Sequence, residues 1–331
     1  MPADVKLFES LDAVEEDAGV ALDSRAEPCL FNRLSWFRLI ARHCPPEGEP
    51  LVARARDGEN SSWLFLFASK QKGQSLTAWY SLRFGLVGDP RGGRAIAGAL
   101  RRRLTRIEMA PVEDPWPLAA AFREAGWIVF TDPATVSWQC STQGMDFKTY
   151  WARRPSKLRN TAARKAKAAG LDIAIHRAFD ETAWADYETV YAASWKGEEG
   201  SPSFLRALAE AEGAAGTLRL GIARKDGRAV AAQLWLVEND KAVIHKLAYA
   251  EDMKSLSPGT ILGVEMFRAA LDEDRVARID YGTGGDAYKA DWMEERTILW
   301  RIRAFNPLRP SGLVGALRAA ASRLVARRLT D

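Results

Sequence analysis

Apolar residues recur at three- and four-residue spacing through FNRLSWFRLIARH (31–43), which predicts an amphipathic helix. LVARARD (51–57) and SSWLFLFASK (61–70) instead alternate or run apolar, as paired strands do, around the turn-forming DGENSS. RGGRAIAGALRRRL (91–104) reads as a helix behind a glycine pair, RIEMAPV (106–112) as a short strand, and WPLAAAFREAGWIVFTD (116–132) as a helix stopped at Gly126 before another strand. Residues 1–145 are thus read as one mixed α/β unit.

A second unit, over 146–307, opens with the basic helix YWARRPSKLRNTAARKAKAAG (150–170), closed by Gly170, and the strand-like LDIAIHRA (171–178). Helices over 181–195 and FLRALAEAEG (204–213) lead to three strands within 218–250, joined at DG and END. SLSPGTILGVEMFRAALDED (255–274) is a helix with a serine and proline start, RVARIDYG (275–282) a strand and RTILWRIRAF (296–305) a last strand. Strands that meander and then cross over through a helix predict an α/β (α+β) chain of curved mixed sheets flanked by helices. Residues 308–331 form a basic amphipathic helix, with Leu313, Leu317, Leu324 and Val325 on one arc, Arg323 and Arg327 opposite, and Arg328 inside the arc. Such a helix packs on its parent domain or lies on a membrane surface.

Composition narrows the classes. With 331 residues, 47% of them apolar, the chain is a globular protein long enough for two domains. A net charge of +4 on 47 basic and 43 acidic residues makes no global field for nucleic acid. Cys29, Cys44 and Cys140 are odd in number and widely spaced, which points to a reducing compartment and to no metal site. The acidic start lacks a secretory signal and no run approaches the ~20 apolar residues that span a bilayer. The expected location is therefore the cytoplasm, with peripheral contact at the inner membrane left open.

Four stretches carry chemistry. In SLSPGTILG, Ser255 and Ser257 precede a helix whose first positions are Pro258, Gly259 and Thr260; its unpaired amides and dipole would seat a pyrophosphate, although an ordinary capped start looks the same. In IDYGTGGDAYK, Gly282, Gly284 and Gly285 allow close backbone approach at a strand exit beside Asp286, Tyr288 and Lys289, although a tight turn with Asp286 as a cap would also fit. In KAVIHKLAY, alternation puts Val243, His245, Leu247 and Tyr249 on one face, so His245 is either a core histidine or a proton acceptor lining a cleft. Seven basic residues between 153 and 167, without balancing acids, form a solvated face or a docking site for an anionic partner.

The joined pattern HKLAYAEDMKSLSPGTIL and RIDYGTGGDAYKADW, with SKLRN and FNRLSWFRL, resembles the CelD/BcsL-like branch of the GNAT acyltransferases, related in architecture to Fem-type aminoacyltransferases. The resemblance is strong over roughly 145–300 and looser before it. It implies two tandem GNAT-like units, no metal, and an acyl-CoA donor whose pyrophosphate is gripped by Ser255, Ser257, Pro258, Gly259 and Thr260. The glycine-rich consensus loop of typical GNAT enzymes, with its leading Gln or Arg, is absent here, and Fem-type enzymes take aminoacyl-tRNA instead.

Aminolysis of a thioester needs a deprotonated amine and oxyanion stabilisation, because the thiolate leaves readily. His245 and Asp286 are the expected proton acceptors, and Tyr288 and Lys289 the groups that steady the oxyanion or the sulfur. Lys157, Arg159, Asn160, Trp195, Lys196, Glu198, Tyr249, Gly284 and Gly285 are expected to line the acceptor side. The reading is an acyl-CoA:amine N-acyltransferase acting on a small-molecule or lipid amine of the cell envelope, favoured acceptor a sphingoid base as in ceramide synthesis. N-acetylation of an amino sugar, a tRNA-dependent ligase and a non-catalytic assembly factor are the alternatives, and nucleic acid is the partner least expected.

Overall fold

Two compact units make up the chain, and each is built on a sheet with the same sequence of pairings: three antiparallel, one parallel, one antiparallel. The computed structural model describes residues 3–328. The side chains of Leu324, Val325, Arg327 and Arg328, part of the expected C-terminal pattern, lie outside the described residues.

The first unit takes residues 3–135 and 298–328. Its elements are β1 (Asp4–Phe8), α1 (Leu11–Ala18), α2 (Leu34–His43), β2 (Glu49–Asp57), β3 (Asn60–Ser69), β4 (Lys72–Ser75), β5 (Val87–Gly88), α3 (Gly93–Arg101), β6 (Arg106–Val112) and α4 (Trp116–Glu124). The sheet runs β1-β2-β3-β4-β6, and β5 pairs with β3. The helical spacing in FNRLSWFRLIARH has its cause in this core: Leu34, Trp36, Phe37 and Ile40 of α2 are buried, and Phe37 stacks on Phe65 of β3 at 3.9 Å. Each such side chain contributes about 1.5–3 kcal/mol by leaving water.

The second unit spans Val136–Thr297. The chain enters it within β7 (Ile128–Ser141) and continues through α5 (Phe147–Ala152), α6 (Ser156–Ala169), β8 (Asp172–His176), α7 (Glu181–Ala192), α8 (Pro202–Ala214), β9 (Leu218–Lys225), β10 (Arg228–Glu238), β11 (Lys241–Tyr249), α9 (Pro258–Arg268) and β12 (Arg278–Thr283), leaving within β13 (Glu295–Phe305). Strand order is β7-β12-β11-β10-β9-β8. Local signals start its helices: the Asp180 carboxylate accepts from Ala183 N–H before α7, and the Ser201 hydroxyl from Phe204 N–H before α8. The core is aromatic, with Phe267 of α9 stacked on Tyr150 at 5.1 Å and on Trp292 at 4.8 Å, and edge-on to Trp235 at 5.0 Å.

The expected boundaries at 145 and 307 move. The chain after Thr297 returns to the first unit, where β13 pairs with β6 and the final helix α10 (Pro310–Arg328) docks. Arg303 and Arg323 both pair with Asp132. The buried face of α10 is not the leucine arc. Gly312, Ala316 and Ala319 are buried, the two alanines packing with Phe305, Ile128 and Phe130, while Leu313 and Leu317 stand 42% and 63% exposed. A Cβ on Gly312 would lie 2.2 Å from the Asn306 carbonyl oxygen, so the backbone approaches too closely for a large side chain on that face.

Candidate active site

Strands β11 and β12 are parallel and pair over only three positions, Lys241 with Arg278, Ala242 with Ile279 and Val243 with Asp280. Beyond them the strands part, with α9 as their crossover. The first unit repeats this pairing between β4 and β6, at Lys72–Arg106 to Gln74–Glu108. There the exit is stitched shut, because the Ser75 and Thr77 hydroxyls donate to the Ala110 carbonyl at 3.0 and 3.1 Å.

The β10–β11 ladder slips where the strands part. Leu234 faces Lys246 and Trp235 faces Ile244, which leaves His245 as the extra residue of a bulge. The bulge breaks the expected alternation. Ala242 and Ile244 face the aromatic core before it and Leu247 and Tyr249 after it, so His245 does not share a face with Leu247 and Tyr249. Both ring nitrogens of His245 are shielded from solvent. That burial, with the neighbouring Lys246 charge, pushes the imidazole down to about 3, so it is neutral and a weak base.

Several expected residues do converge. The Trp195 ring packs on Tyr249 at 4.3 Å, and Tyr249 closes on α9, where a Cβ at Gly259 would lie 3.1 Å from its ring. Lys196 Nζ lies 5.5 Å from the Trp195 ring centre. Lys196 is exposed, yet desolvation in this crowded surround and the like charges of Lys246 and Lys289 outweigh Glu199 and Asp286 and push its ammonium down to about 8. Tyr288, 41% exposed, stands edge-on to Tyr281 at 5.9 Å; partial burial and then the Asp286 charge raise its hydroxyl. The Asp286 carboxylate does not cap the turn that follows and remains exposed, 3.7 Å from Lys289 Nζ.

Lys289 is a holding residue. It is 5% exposed, donates to the Thr283 carbonyl at 2.6 Å, and is lowered chiefly by burial. The glycine loop is also tied from β7: Trp138 Nε1 donates to the Gly284 carbonyl at 3.0 Å, and Gly284 N–H to Val136 O at 2.9 Å. Asp280, fully buried on β12, accepts from Gly282 N–H at 2.8 Å. Gly284 has φ +116°, which explains a glycine at this point, and Gly285 is exposed beside it.

The helix N-terminus offers less than expected. Ser257 adopts a left-handed conformation, Pro258 has no N–H, and the Thr260 and Ile261 amides both donate to the Ser257 carbonyl, at 3.1 and 3.2 Å. The cationic character is present, since Lys165 of α6 donates to Ser255 O at 2.6 Å. On α6, Lys157 and Asn160 are exposed, while Arg159 bonds the Arg154 carbonyl. Residues that pattern alone missed are Asp280, Trp138, Lys246 and Glu199; the last two form an ion pair at 2.8 Å with side chains 14% and 10% exposed. No local signal marks them, because the partners of Trp138, Lys246 and Glu199, and those of Asp280 on β7, lie far away in the chain. Cys140, in the core, is raised to about 12 by burial and is not a nucleophile.

Residues 152–290 match the family model of the acetyltransferase (GNAT) domain. Among solved structures, FemX aligns with TM-score 0.63 at 10% identity over 92% of this chain and 98% of its own. The C-terminal domain of a protein described as a lysylphosphatidylglycerol synthetase from Agrobacterium fabrum aligns with TM-score 0.59 at 14% identity, covering 94% and 96%. A tandem GNAT protein from the clavulanic acid biosynthesis pathway aligns with TM-score 0.53 at 14% identity, covering 90% and 98%. No curated protein sequence matches the chain. Residues 152–290 thus carry a GNAT acetyltransferase domain, within the second unit, and the chain as a whole shares the fold of FemX and of the tandem GNAT protein.

Proposed function

We propose that the second unit transfers an acyl group from acyl-CoA to the primary amine of a cell-envelope precursor, with a lipid amine such as a sphingoid base as the favoured acceptor. One observation carries this reading: Lys196, Asp286 and Tyr288 gather beside the Trp195–Tyr249 pair, against Gly259, where β11 and β12 part. The thioester supplies the electrophilic carbonyl. Lys165 and the Gly259 amide at the start of α9 would hold the donor's phosphates, with Ser255, Ser257 and Thr260 shaping that turn.

On the acceptor side, Asp286 attracts the ammonium form of the amine. Lys196, near 8, is matched to take its proton, a role His245 fills poorly at about 3. The amine nitrogen then bonds the acyl carbon and the carbon–sulfur bond breaks. Tyr288, whose hydroxyl keeps its proton at neutral pH, is placed to donate toward the departing sulfur.

The outward row Leu308, Leu313, Val314 and Leu317 supports contact with a membrane surface, where a lipid amine would be met. Among the described residues no helix is long and apolar enough to cross a membrane. The exposed basic residues Lys157, Arg164 and Lys167 of α6 favour a second reading, in which the donor is aminoacyl-tRNA. Purified protein incubated with acyl-CoA and a panel of sugar and lipid amines decides between them. Thiol release lost in Asp286→Asn supports the first reading; activity that needs charged tRNA and disappears with ribonuclease supports the second.

A further inference from the structure

The antiparallel ladder between β7 and β12 gains one residue where β12 ends. Asp280 faces Gln139 and Thr283 faces Ser137, so Tyr281 and Gly282 together stand opposite Trp138. Tyr281 turns into the aromatic core, and the bulge interrupts the ladder at Gly282, whose N–H must find another acceptor. It finds the carboxylate of Asp280, two residues earlier on the same strand, at 2.8 Å.

Asp280 is fully buried, and its carboxylate accepts from two further donors on β7, the Ser137 hydroxyl at 3.3 Å and the Gln139 side-chain amide at 3.4 Å. Arg278 fixes the sense of that amide: its guanidinium donates to the Gln139 side-chain oxygen at 2.8 Å and leaves the NH2 end for Asp280. An apolar side chain fills a strand interior at less cost than a carboxylate taken out of water. What the carboxylate adds is a fixed direction for the amide it grips. Asp280 also acts on the loop through Lys289, whose ammonium is disfavoured by burial and favoured by the charges of Asp286 and Asp280, and which donates to the Thr283 carbonyl at 2.6 Å. Gly282 and Thr283 are thus both held, and the segment they launch carries Asp286 and Tyr288 to the transfer site.

We propose that Asp280 is a positioning residue: from inside the sheet it sets the direction of the glycine loop, and through the loop the place of Asp286 and of the acceptor ammonium that Asp286 attracts. The inference rests on the acyl-transfer reading above. Asp280 itself touches no substrate, being closed off from solvent. Asp280→Asn separates direction from size. Whichever way the new amide turns, its NH2 meets a donor, either Gly282 N–H or the Gln139 NH2. Adding Gln139→Glu places an acceptor at that point, still bonded by Arg278, and restores the match at unchanged net charge.

The test uses the full chain, an acyl-CoA donor and whichever of dodecylamine and glucosamine releases thiol. Asp280→Asn should raise the amine KM about tenfold, within the span that a displacement of about 1 Å costs, and leave the acyl-CoA KM as it was. The double variant Asp280→Asn, Gln139→Glu should recover most of that loss. A purely structural role would lower kcat through the amount of folded protein and leave both KM values alone; that result overturns the proposal, as does an amine KM unchanged in Asp280→Asn or a loss that the double variant keeps. Where Asp280→Asn fails to fold, Ser137→Ala, which removes one donor, should raise the amine KM about fivefold, the order that one hydrogen bond contributes, and an unchanged KM overturns the proposal there. Should neither amine release thiol, the acyl-transfer reading fails by itself, and amide hydrogen exchange judges Asp280 alone. Exchange at Gly282 and Gly284 at least about tenfold faster in Asp280→Asn, or in Ser137→Ala where the former fails to fold, upholds its hold on the loop; unchanged exchange overturns it.

Discussion

Lys196 offers the sharpest test of the transfer mechanism. Its ammonium is pushed from an ordinary 10.5 to about 8 by desolvation and by the charges of Lys246 and Lys289. At pH 7 a lysine titrating near 8 is neutral about one time in eleven, against about one in three thousand at the ordinary value, so the protein raises its supply of free base about 300-fold. The rate against pH should therefore rise through an inflection near 8, well below the inflection near 10 expected from the acceptor's own ammonium. Lys196→Met should remove that inflection and lower kcat/KM by about a hundredfold or more, the span general-base residues supply. Removing a like charge with Lys246→Gln should move the inflection to higher pH. Thiol release followed across pH measures all three. A Lys196→Met protein within about threefold of the parent, with the inflection intact, would refute Lys196 as the proton acceptor.

Gly284→Ala forces a side chain onto φ +116° with its Cβ 3.2 Å from Asp286 Oδ2; we expect a loss of about 1–3 kcal/mol in thermal unfolding and at least a tenfold drop in turnover, and unchanged activity would separate Asp286 from the chemistry. Lys246→Met strips the partly buried Glu199 of its cation and should cost about 3 kcal/mol in denaturant unfolding, whereas Lys246→Arg should cost much less. His245 has a folded value near 3 below its ordinary 6.5, so the unfolded chain binds more protons between them, and the stability it contributes is lost as pH falls through that window. His245→Leu should flatten the acid side of the stability curve there, and an equally steep curve would show that burial does not hold the ring neutral.

Much of the fold was legible because helix and strand periods are properties of the chain's own geometry. The spacing of Trp36, Phe37 and Ile40 specifies α2, and DG and END mark the turns of the β9–β11 meander, without reference to anything distant. The gathering of Trp195, Lys196, Tyr249, Asp286 and Tyr288 follows an expectation that rested on the resemblance to GNAT acyltransferases, and the repeat of two similar units was visible as a repeated order of elements.

Contacts between remote residues decided the rest. Alternation assumes an unbroken ladder, and the bulge at His245 breaks it only because β10 pairs across it. Leu313 and Leu317 have the spacing of a buried arc, yet close backbone packing at Asn306 selects Gly312, Ala316 and Ala319 for the inner face. Lys246 is an ordinary basic residue until Glu199 closes on it, and Lys196 acquires its weak hold on a proton only through desolvation and the nearby charges of Lys246 and Lys289. Period and turn chemistry determined which elements exist; desolvation and charge, which depend on neighbours brought together from distant parts of the chain, decided which of their side chains are fit for chemistry.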